Sequence, residues 1–236
     1  MNSNMFIAGV IGIGPALALM YFTLRDYTYP KVEKPFFDDR KVFGLLALGM
    51  VMGVALFAVQ QYFPIEQVLY ALLFALIYEL AKLAVLNLKR FSRRLDTAFY
   101  GLVIGLGMGS TVAFGYIWSS FLSFSAAGLS LGLRDYVVII VLSFQLSLLN
   151  GSTGAVIGIG VTRGHPFGFL ANAALTHIAY NFVMIGFFLY PLDVWGYVCL
   201  VFATAIAAFS YYRVHFQAIP ALVEEGLAKY KSKSKA

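Results

Sequence analysis

The chain has 236 residues, of which 61% are hydrophobic and only 12% are charged. With a mean hydropathy of +0.81, this composition excludes a soluble globular domain and predicts a polytopic membrane protein. The formal net charge of +6 could suit nucleic acid, but the basic residues are placed as membrane topology requires, so we expect no nucleic-acid partner. Cys199 is the single cysteine, which leaves no intramolecular disulfide and no thiolate metal cluster.

Apolar runs of about 20 residues, the length that crosses a bilayer as a helix, predict an all-α fold with about seven transmembrane helices. The runs lie near residues 5–24, 42–62, 67–88, 98–118, 136–160, 169–190 and 194–212. We expect a single seven-helix transmembrane domain over residues 1–212. Residues 213–236 follow as a basic cytoplasmic tail, which we expect to be frayed and attracted to anionic lipid.

The basic residues of the loops fall almost entirely on one side of the predicted bundle. Fifteen lie in the odd-numbered loops and the tail: Arg25, Lys31, Lys34, Arg40, Lys41, Lys89, Arg90, Arg93, Arg94, Arg163, Arg213, Lys229, Lys231, Lys233 and Lys235. The even-numbered loops hold Arg134 alone. Because Lys and Arg accumulate in cytoplasmic loops, this division predicts a multi-pass protein of the cell membrane with its N-terminus outside and its C-terminus in the cytoplasm.

The first span contains Gly14 and Pro15, and the proline should bend or loosen this helix because it removes a backbone donor. The third span carries two charged residues, Glu79 and Lys82. An ionisable side chain at membrane depth costs at least ~2.5–3.5 kcal/mol, so it usually marks a functional site. The two residues are also three positions apart on one helical face, so they could simply neutralise each other. The sequence leaves both interpretations open.

Small residues recur at four-residue spacing in the fourth span, at Gly101, Gly105 and Gly109. This spacing predicts a seam along which another helix packs closely. The stretch Asn150–Gly154 should break the fifth helix, and its polar groups then need protein or a wet cavity around them. Residues 119–135, between the two spans, are amphiphilic, and we expect them to lie along the outer interface or to dip part-way in.

Polar residues of several spans are predicted to meet at one depth. With a rise of 1.5 Å per residue, Glu79 lies roughly 14 Å from the cytoplasmic surface, His177 roughly 12 Å and Asn150 roughly 15 Å. Ser110 and Thr111 of the fourth span come to roughly 18–20 Å. The sequence therefore predicts a polar site formed by helices 3, 4, 5 and 6.

A Glu and a His at one depth can perform general acid–base catalysis, with Glu79 activating a water molecule and His177 shuttling protons or stabilising an oxyanion. Asn181 lies one turn after His177 on the same face, so it could orient the ring or a substrate carbonyl. A buried Glu–Lys or Glu–His hydrogen bond that merely fixes two helices remains the alternative. We expect no metal, because the residues at depth supply two candidate ligands where catalytic zinc usually takes three, and no other cofactor.

These residues resemble the pattern of the PrsW family of intramembrane proteases. The matching elements are Glu79-Leu-Ala-Lys82, then Asp96 before the helix segment Phe99-Tyr100-Gly101-Leu-Val-Ile-Gly105-Leu-Gly107, and finally His177 on a later helix. The similarity covers roughly residues 69–182. It implies that Glu79 and His177 are catalytic and that Lys82 and Asp96 support them. From their predicted depth and helix face, we expect Asn150 and Asn181 to support them as well. Tyr78 stands where that family has the first Glu of a pair, and residues 110–115 lack the Glu-Asn usual there.

The architecture is also similar to the anterior-pharynx-defective subunit of γ-secretase, a seven-helix relative that stabilises a protease complex without being the protease. Gly14-Pro15-Ala16-Leu17-Ala18-Leu19 looks like the opening of that subunit, and His177 falls where it keeps a late-helix His. That subunit has a second His on helix 5, where this chain has a position near Asn150.

Two functions follow as expectations. The first is an intramembrane peptidase that uses Glu79 and His177 to hydrolyse a membrane-protein substrate. The second is a non-catalytic helical scaffold that binds and stabilises a partner membrane protein. A small transporter or channel is a weaker third hypothesis, because the sequence shows no internal repeat and no second pair of broken helices.

Overall fold

The computed structural model describes residues 3–64, 66–191 and 193–233. Its helices are α1 (Ser3–Leu24), α2 (Asp39–Gln60), α3 (Val68–Leu86), α4 (Thr97–Ala126), α5 (Leu133–Arg163), α6 (Pro166–Leu189), α7 (Val194–Arg213) and α8 (Ile219–Lys233). A 3₁₀ turn, Arg25–Tyr27, follows α1, and a π-helical turn, Val214–Ala218, joins α7 to α8. No strand occurs among the described residues, so the predicted all-α fold is confirmed for that part of the chain.

Seven helical segments of the described chain are long and apolar enough to cross a membrane, as the sequence predicts. They are Asn4–Tyr27, Asp39–Gln60, Val68–Leu86, Thr97–Ala126, Leu133–Arg163, Pro166–Leu189 and Val194–Ala228. Contacts between helices show that odd-numbered and even-numbered helices run in opposite directions. We call the end at which α1, α3, α5 and α7 finish the basic end of the bundle, because most of the Lys and Arg residues lie there.

The central helix is α4, of which 89% of the most apolar stretch is buried inside the bundle. Its glycines allow α5 to pack directly against α4, because a Cβ atom at Gly101, Gly105 or Gly109 would collide with backbone carbonyls of α5. The predicted seam is therefore confirmed, and its partner is α5. On the opposite face Gly107 of α4 and Gly49 of α2 allow α2 to approach as closely.

Helix α1 continues through Pro15 to Leu24. A proline at this position cannot donate to the carbonyl of Ile11, one turn earlier. The Ser143 hydroxyl of α5 donates to that carbonyl at 2.6 Å. The freed backbone acceptor is thus satisfied from a neighbouring helix, which is how a span tolerates a proline in lipid.

Helix α5 is continuous, so the expectation that Asn150–Gly154 breaks it is wrong. The polar side chains of this stretch hydrogen-bond to their own helix: the Asn150 amide donates to the Leu146 carbonyl at 3.0 Å, and the Ser152 hydroxyl donates to the Leu149 carbonyl at 3.0 Å. Gly154 packs against α4. The polar and glycine residues of this stretch therefore belong to a closely packed, continuous helix.

The amphiphilic segment 119–135 is not a separate interfacial element. Most of it forms the end of α4 and the beginning of α5, which have 30 and 31 residues instead of the shorter spans expected. Phe121 and Ile139 are buried in a small apolar cluster at this end, with Ala8 of α1. This cluster explains why both helices extend so far.

Residues 219–233 are helical, so the expectation of a frayed tail is wrong for them, while residues 234–236 lie outside the described part. Leu222 of α8 is buried against Ala98 and Ile159 at the basic end. Arg163 of α5 forms an ion pair with Glu225 at 2.5 Å. These contacts hold the first half of α8 against the bundle.

Candidate functional site

A cluster of four polar side chains joins α3, α5 and α6 inside the bundle. The Glu79 Oε1 atom accepts hydrogen bonds from Lys82 Nζ at 2.8 Å and from the Thr153 hydroxyl at 3.0 Å, and it lies 2.6 Å from His177 Nδ1. Lys82 Nζ also donates to Thr153 at 2.7 Å. The structure therefore brings Glu79 and His177 together, and it also pairs Glu79 with Lys82.

The cluster is almost completely buried. Glu79 and Lys82 are 0% exposed and His177 is 4% exposed. The other carboxylate oxygen, Glu79 Oε2, is buried and has no hydrogen-bond partner among the described residues. The positive charge of Lys82 balances the negative charge of Glu79. The two residues are three positions apart on α3, which places the Lys82 ammonium beside the carboxylate without distorting the helix.

His177 connects this cluster to an internal cavity of about 50 Å³. The cavity is lined by side chains of α2 to α6: Gln60, Phe74, Tyr78, Val112, Tyr116, Leu142, Leu146, Asn150, His177, Tyr180, Asn181, Met184 and Phe188. Its volume suffices for a few water molecules, since roughly 10–15 Å³ is enough for one. Glu79 does not line it, so the carboxylate lies behind the imidazole.

The tautomer of His177 follows from its partner. An ionised carboxylate only accepts hydrogen bonds, so the Nδ1 atom of His177 carries the hydrogen in the contact with Glu79. In the neutral imidazole the Nε2 atom is then an acceptor, and it has no partner among the described residues. The cavity wall therefore includes a basic nitrogen whose orientation Glu79 fixes.

Asn150 and Asn181 both line the cavity together with His177. The Asn181 amide donates to the Ala71 carbonyl of α3 at 2.9 Å, which ties α6 to α3 one turn from His177. Asn150 is 1% exposed, and its Oδ1 atom has no hydrogen-bond partner in the described chain. Asn150 thus offers an unused polar atom close to the cavity.

A hydrogen-bond relay runs along the cavity wall from α3 to α4. The Tyr78 hydroxyl donates to Gln60 Oε1 at 3.2 Å, and Gln60 Nε2 donates to the Tyr116 hydroxyl oxygen at 2.8 Å. An amide nitrogen can only donate, so the hydrogen of the Tyr116 hydroxyl remains available. Within the described residues it has no acceptor, so Tyr116 presents a free O–H donor beside the cavity.

Three residues expected near the site lie elsewhere. Asp96 forms a two-point ion pair with Arg94, at 3.1 and 2.8 Å, outside the cluster, and these bonds raise the pKa of Arg94. Ser110 donates to a carbonyl of its own helix, and Thr111 reaches the Met50 carbonyl of α2. The predicted depth could not tell which way each side chain points around its helix.

Sequence reasoning did not identify Thr153, Gln60 and Tyr116 as site residues. Thr153 belongs to a stretch recognised as polar, but its bond to Glu79 requires the register between α3 and α5. Gln60 lies in an apolar span, and a buried amide there could have been recognised as an expensive group that needs partners. Tyr116 carries no such signal among so many aromatic residues.

No group of three or more His, Cys, Asp or Glu residues that could hold a metal ion is present in the described chain. The polar groups that do converge are one carboxylate, one ammonium, one imidazole, three amides and hydroxyl groups. This set is suited to proton transfer and to hydrogen bonding of a carbonyl group. Comparisons of the chain with protein-family models, with curated proteins and with solved structures found no match.

Proposed function

We propose that this protein is an intramembrane peptidase of the PrsW type that hydrolyses a membrane-protein substrate. The observation that carries the proposal is the contact of 2.6 Å between Glu79 and His177, which presents a basic nitrogen to a small cavity. The resemblance of the sequence segments to that family points to the same two residues. The positive-inside distribution of Lys and Arg supports an outside N-terminus and a cytoplasmic C-terminus.

In this proposal His177 activates the water, in place of Glu79 as the sequence suggested, because His177 lines the cavity and Glu79 does not. Its Nε2 atom takes a proton from a water molecule in the cavity, and the resulting hydroxide attacks the scissile carbonyl. Glu79 stabilises the imidazolium that forms and holds the ring in position. The protonated His177 then gives its proton to the leaving amine, which completes hydrolysis with atoms and charge balanced.

The oxyanion of the tetrahedral intermediate needs hydrogen-bond donors. The free hydroxyl hydrogen of Tyr116 supplies one, because Gln60 already occupies its oxygen. Such donors act strongly in a water-poor site. A cavity of about 50 Å³ is smaller than a peptide segment, so binding of the substrate requires the helices around the cavity to open while the contact between Glu79 and His177 is kept.

A specific observation favours the second candidate, a non-catalytic scaffold that binds a partner membrane protein. Glu79 and Lys82 are both fully buried, and their ion pair, together with the hydrogen bonds to Thr153 and His177, joins three helices. A network of this kind can serve to fix the arrangement of helices rather than to react. The two candidates differ in whether anything is cleaved.

The experiment compares membranes from cells that express the wild-type protein, Glu79→Gln or His177→Gln. Mass spectrometry of peptide termini identifies cleavage products. The peptidase predicts new termini inside or beside transmembrane segments with the wild type and none with either variant. Absence of any termini that depend on the wild-type protein, with co-purification of a partner lost in the variants, would favour the scaffold.

A further inference from the structure

A larger cavity, of about 630 Å³, lies at the basic end between α5, α6, α7 and the π-helical turn. We call it the α6–α7 groove. It is separate from the candidate active site, because none of Glu79, Lys82, Thr153 and His177 lines it. Its volume is in the range of roughly 300–1,000 Å³ that is usual for ligand sites.

The mouth of the groove is cationic. Arg163, at the end of α5, and Arg213, at the end of α7, both line it. Arg163 is held by Glu225 at 2.5 Å. Arg213 is exposed and has no ion-pair partner in the part of the chain that the structure describes. The described lining includes no Asp or Glu, and the Glu225 carboxylate beside it is already paired with Arg163.

The walls of the groove are apolar and open sideways. Leu175 of α6 is 66% exposed and Phe209 of α7 is 63% exposed, although both line the groove. Ile206 lies seven residues before Arg213, which is about 10 Å deeper along the helix. In a helix pair that spans a bilayer, such walls face acyl chains, while the arginines lie at headgroup level.

We propose that the α6–α7 groove binds one anionic phospholipid. The phosphate is held by Arg213, because a guanidinium group donates two parallel hydrogen bonds to phosphate oxygens. The acyl chains lie along Leu175, Ile206 and Phe209. Free phosphate would use only the mouth and would leave the apolar walls uncovered.

The test titrates the full-length protein, purified in mild detergent, with phosphatidylglycerol and with phosphatidylcholine of the same acyl chains. Native mass spectrometry counts the lipids retained. The wild type should retain phosphatidylglycerol in preference, and Arg213→Gln should weaken its retention about fivefold, the effect of one basic residue at an anionic headgroup. Arg134→Gln, which removes the same charge at the opposite end, is the matched control and should change nothing.

Equal retention of the two lipids by the wild type would overturn the proposal. So would a preference for phosphatidylglycerol that survives both Arg213→Gln and Arg163→Gln. Inorganic phosphate that displaces the lipid at equal concentration would show that the site takes a free anion instead. Glu225→Gln removes a negative charge and keeps Arg163, so its retention of phosphatidylglycerol should equal or exceed that of the wild type, and weaker retention would contradict the proposal. Melting temperatures without lipid identify any variant that fails to fold.

Discussion

The Nδ1 atom of His177 lies 2.6 Å from the Oε1 atom of Glu79, although the two residues are 98 positions apart in the chain. The contact joins α6 to α3 in the interior of the bundle, where both side chains are removed from solvent. A carboxylate in this position fixes the imidazole and leaves its second nitrogen to the cavity.

The buried ion pair of Glu79 and Lys82 predicts that removing one of its charges lowers stability much more than removing both. Lys82→Met should lower the free energy of unfolding by about 3–5 kcal/mol, because it leaves the Glu79 carboxylate buried without its cation. The double variant Glu79→Gln/Lys82→Met removes both charges and should recover much of that loss. The melting temperatures of the two variants in detergent check this expectation. Equal destabilisation by both would show that the ion pair does not govern the stability of this region.

The seam between α4 and α5 predicts that one methyl group is enough to disturb the core. Gly105→Ala places a Cβ atom against the Asn150 carbonyl and should cost about 1–3 kcal/mol, as overpacking does elsewhere. Gly44→Ala is the control, because a Cβ atom at Gly44 meets nothing within 4 Å. Both substitutions increase helix propensity, so their difference in thermal stability isolates the clash. A Gly105→Ala protein as stable as Gly44→Ala would contradict the seam.

The free hydroxyl of Tyr116 predicts a loss of rate without a loss of fold. Tyr116→Phe keeps the ring that packs against Phe57 and Phe188 but removes the donor, so kcat should fall by roughly 10²–10³ while KM changes little. Tyr190→Phe, at an exposed position, serves as the control. A matched fall in kcat for both variants, or none for Tyr116→Phe, would remove Tyr116 from the mechanism.

The distribution of basic residues predicts the orientation of the chain. In a Cys199→Ala background, a cysteine introduced at Ser3 should react with a membrane-impermeant thiol reagent in intact cells. A cysteine introduced at Ser92, which is exposed in the loop between α3 and α4, should react only after the membrane is opened. The reverse pattern would place the N-terminus in the cytoplasm.

The sequence predicts the seven spans well because length and hydropathy are local properties. The predicted spans differ from the helices mainly at the helix ends. Most of residues 119–135 form the ends of α4 and α5 because side chains there pack on α1, which no single segment reveals. Asn150–Gly154 suggests a broken helix, yet these residues stay helical because α4 contributes glycines opposite them. Close packing between two helices depends on both sequences at once.

The candidate site is predicted in part for the same reason. Depth follows from counting residues along a span, and it brings Glu79 and His177 to one level, where the structure joins them. Rotation around the helix axis does not follow from counting, so Ser110 and Thr111 reach a similar predicted depth but bond to backbone carbonyls of α4 and α2. Thr153 enters the cluster because α5 turns that side of the helix toward α3.

The most direct test of the central claim is cleavage of an identified substrate by purified protein in proteoliposomes. Glu79→Gln and His177→Gln should each reduce the rate by ~10²–10⁴, and the double variant should lose little more, because the two residues act as one unit. Cleavage at the wild-type rate by folded Glu79→Gln, with the same substrate, would contradict the catalytic assignment.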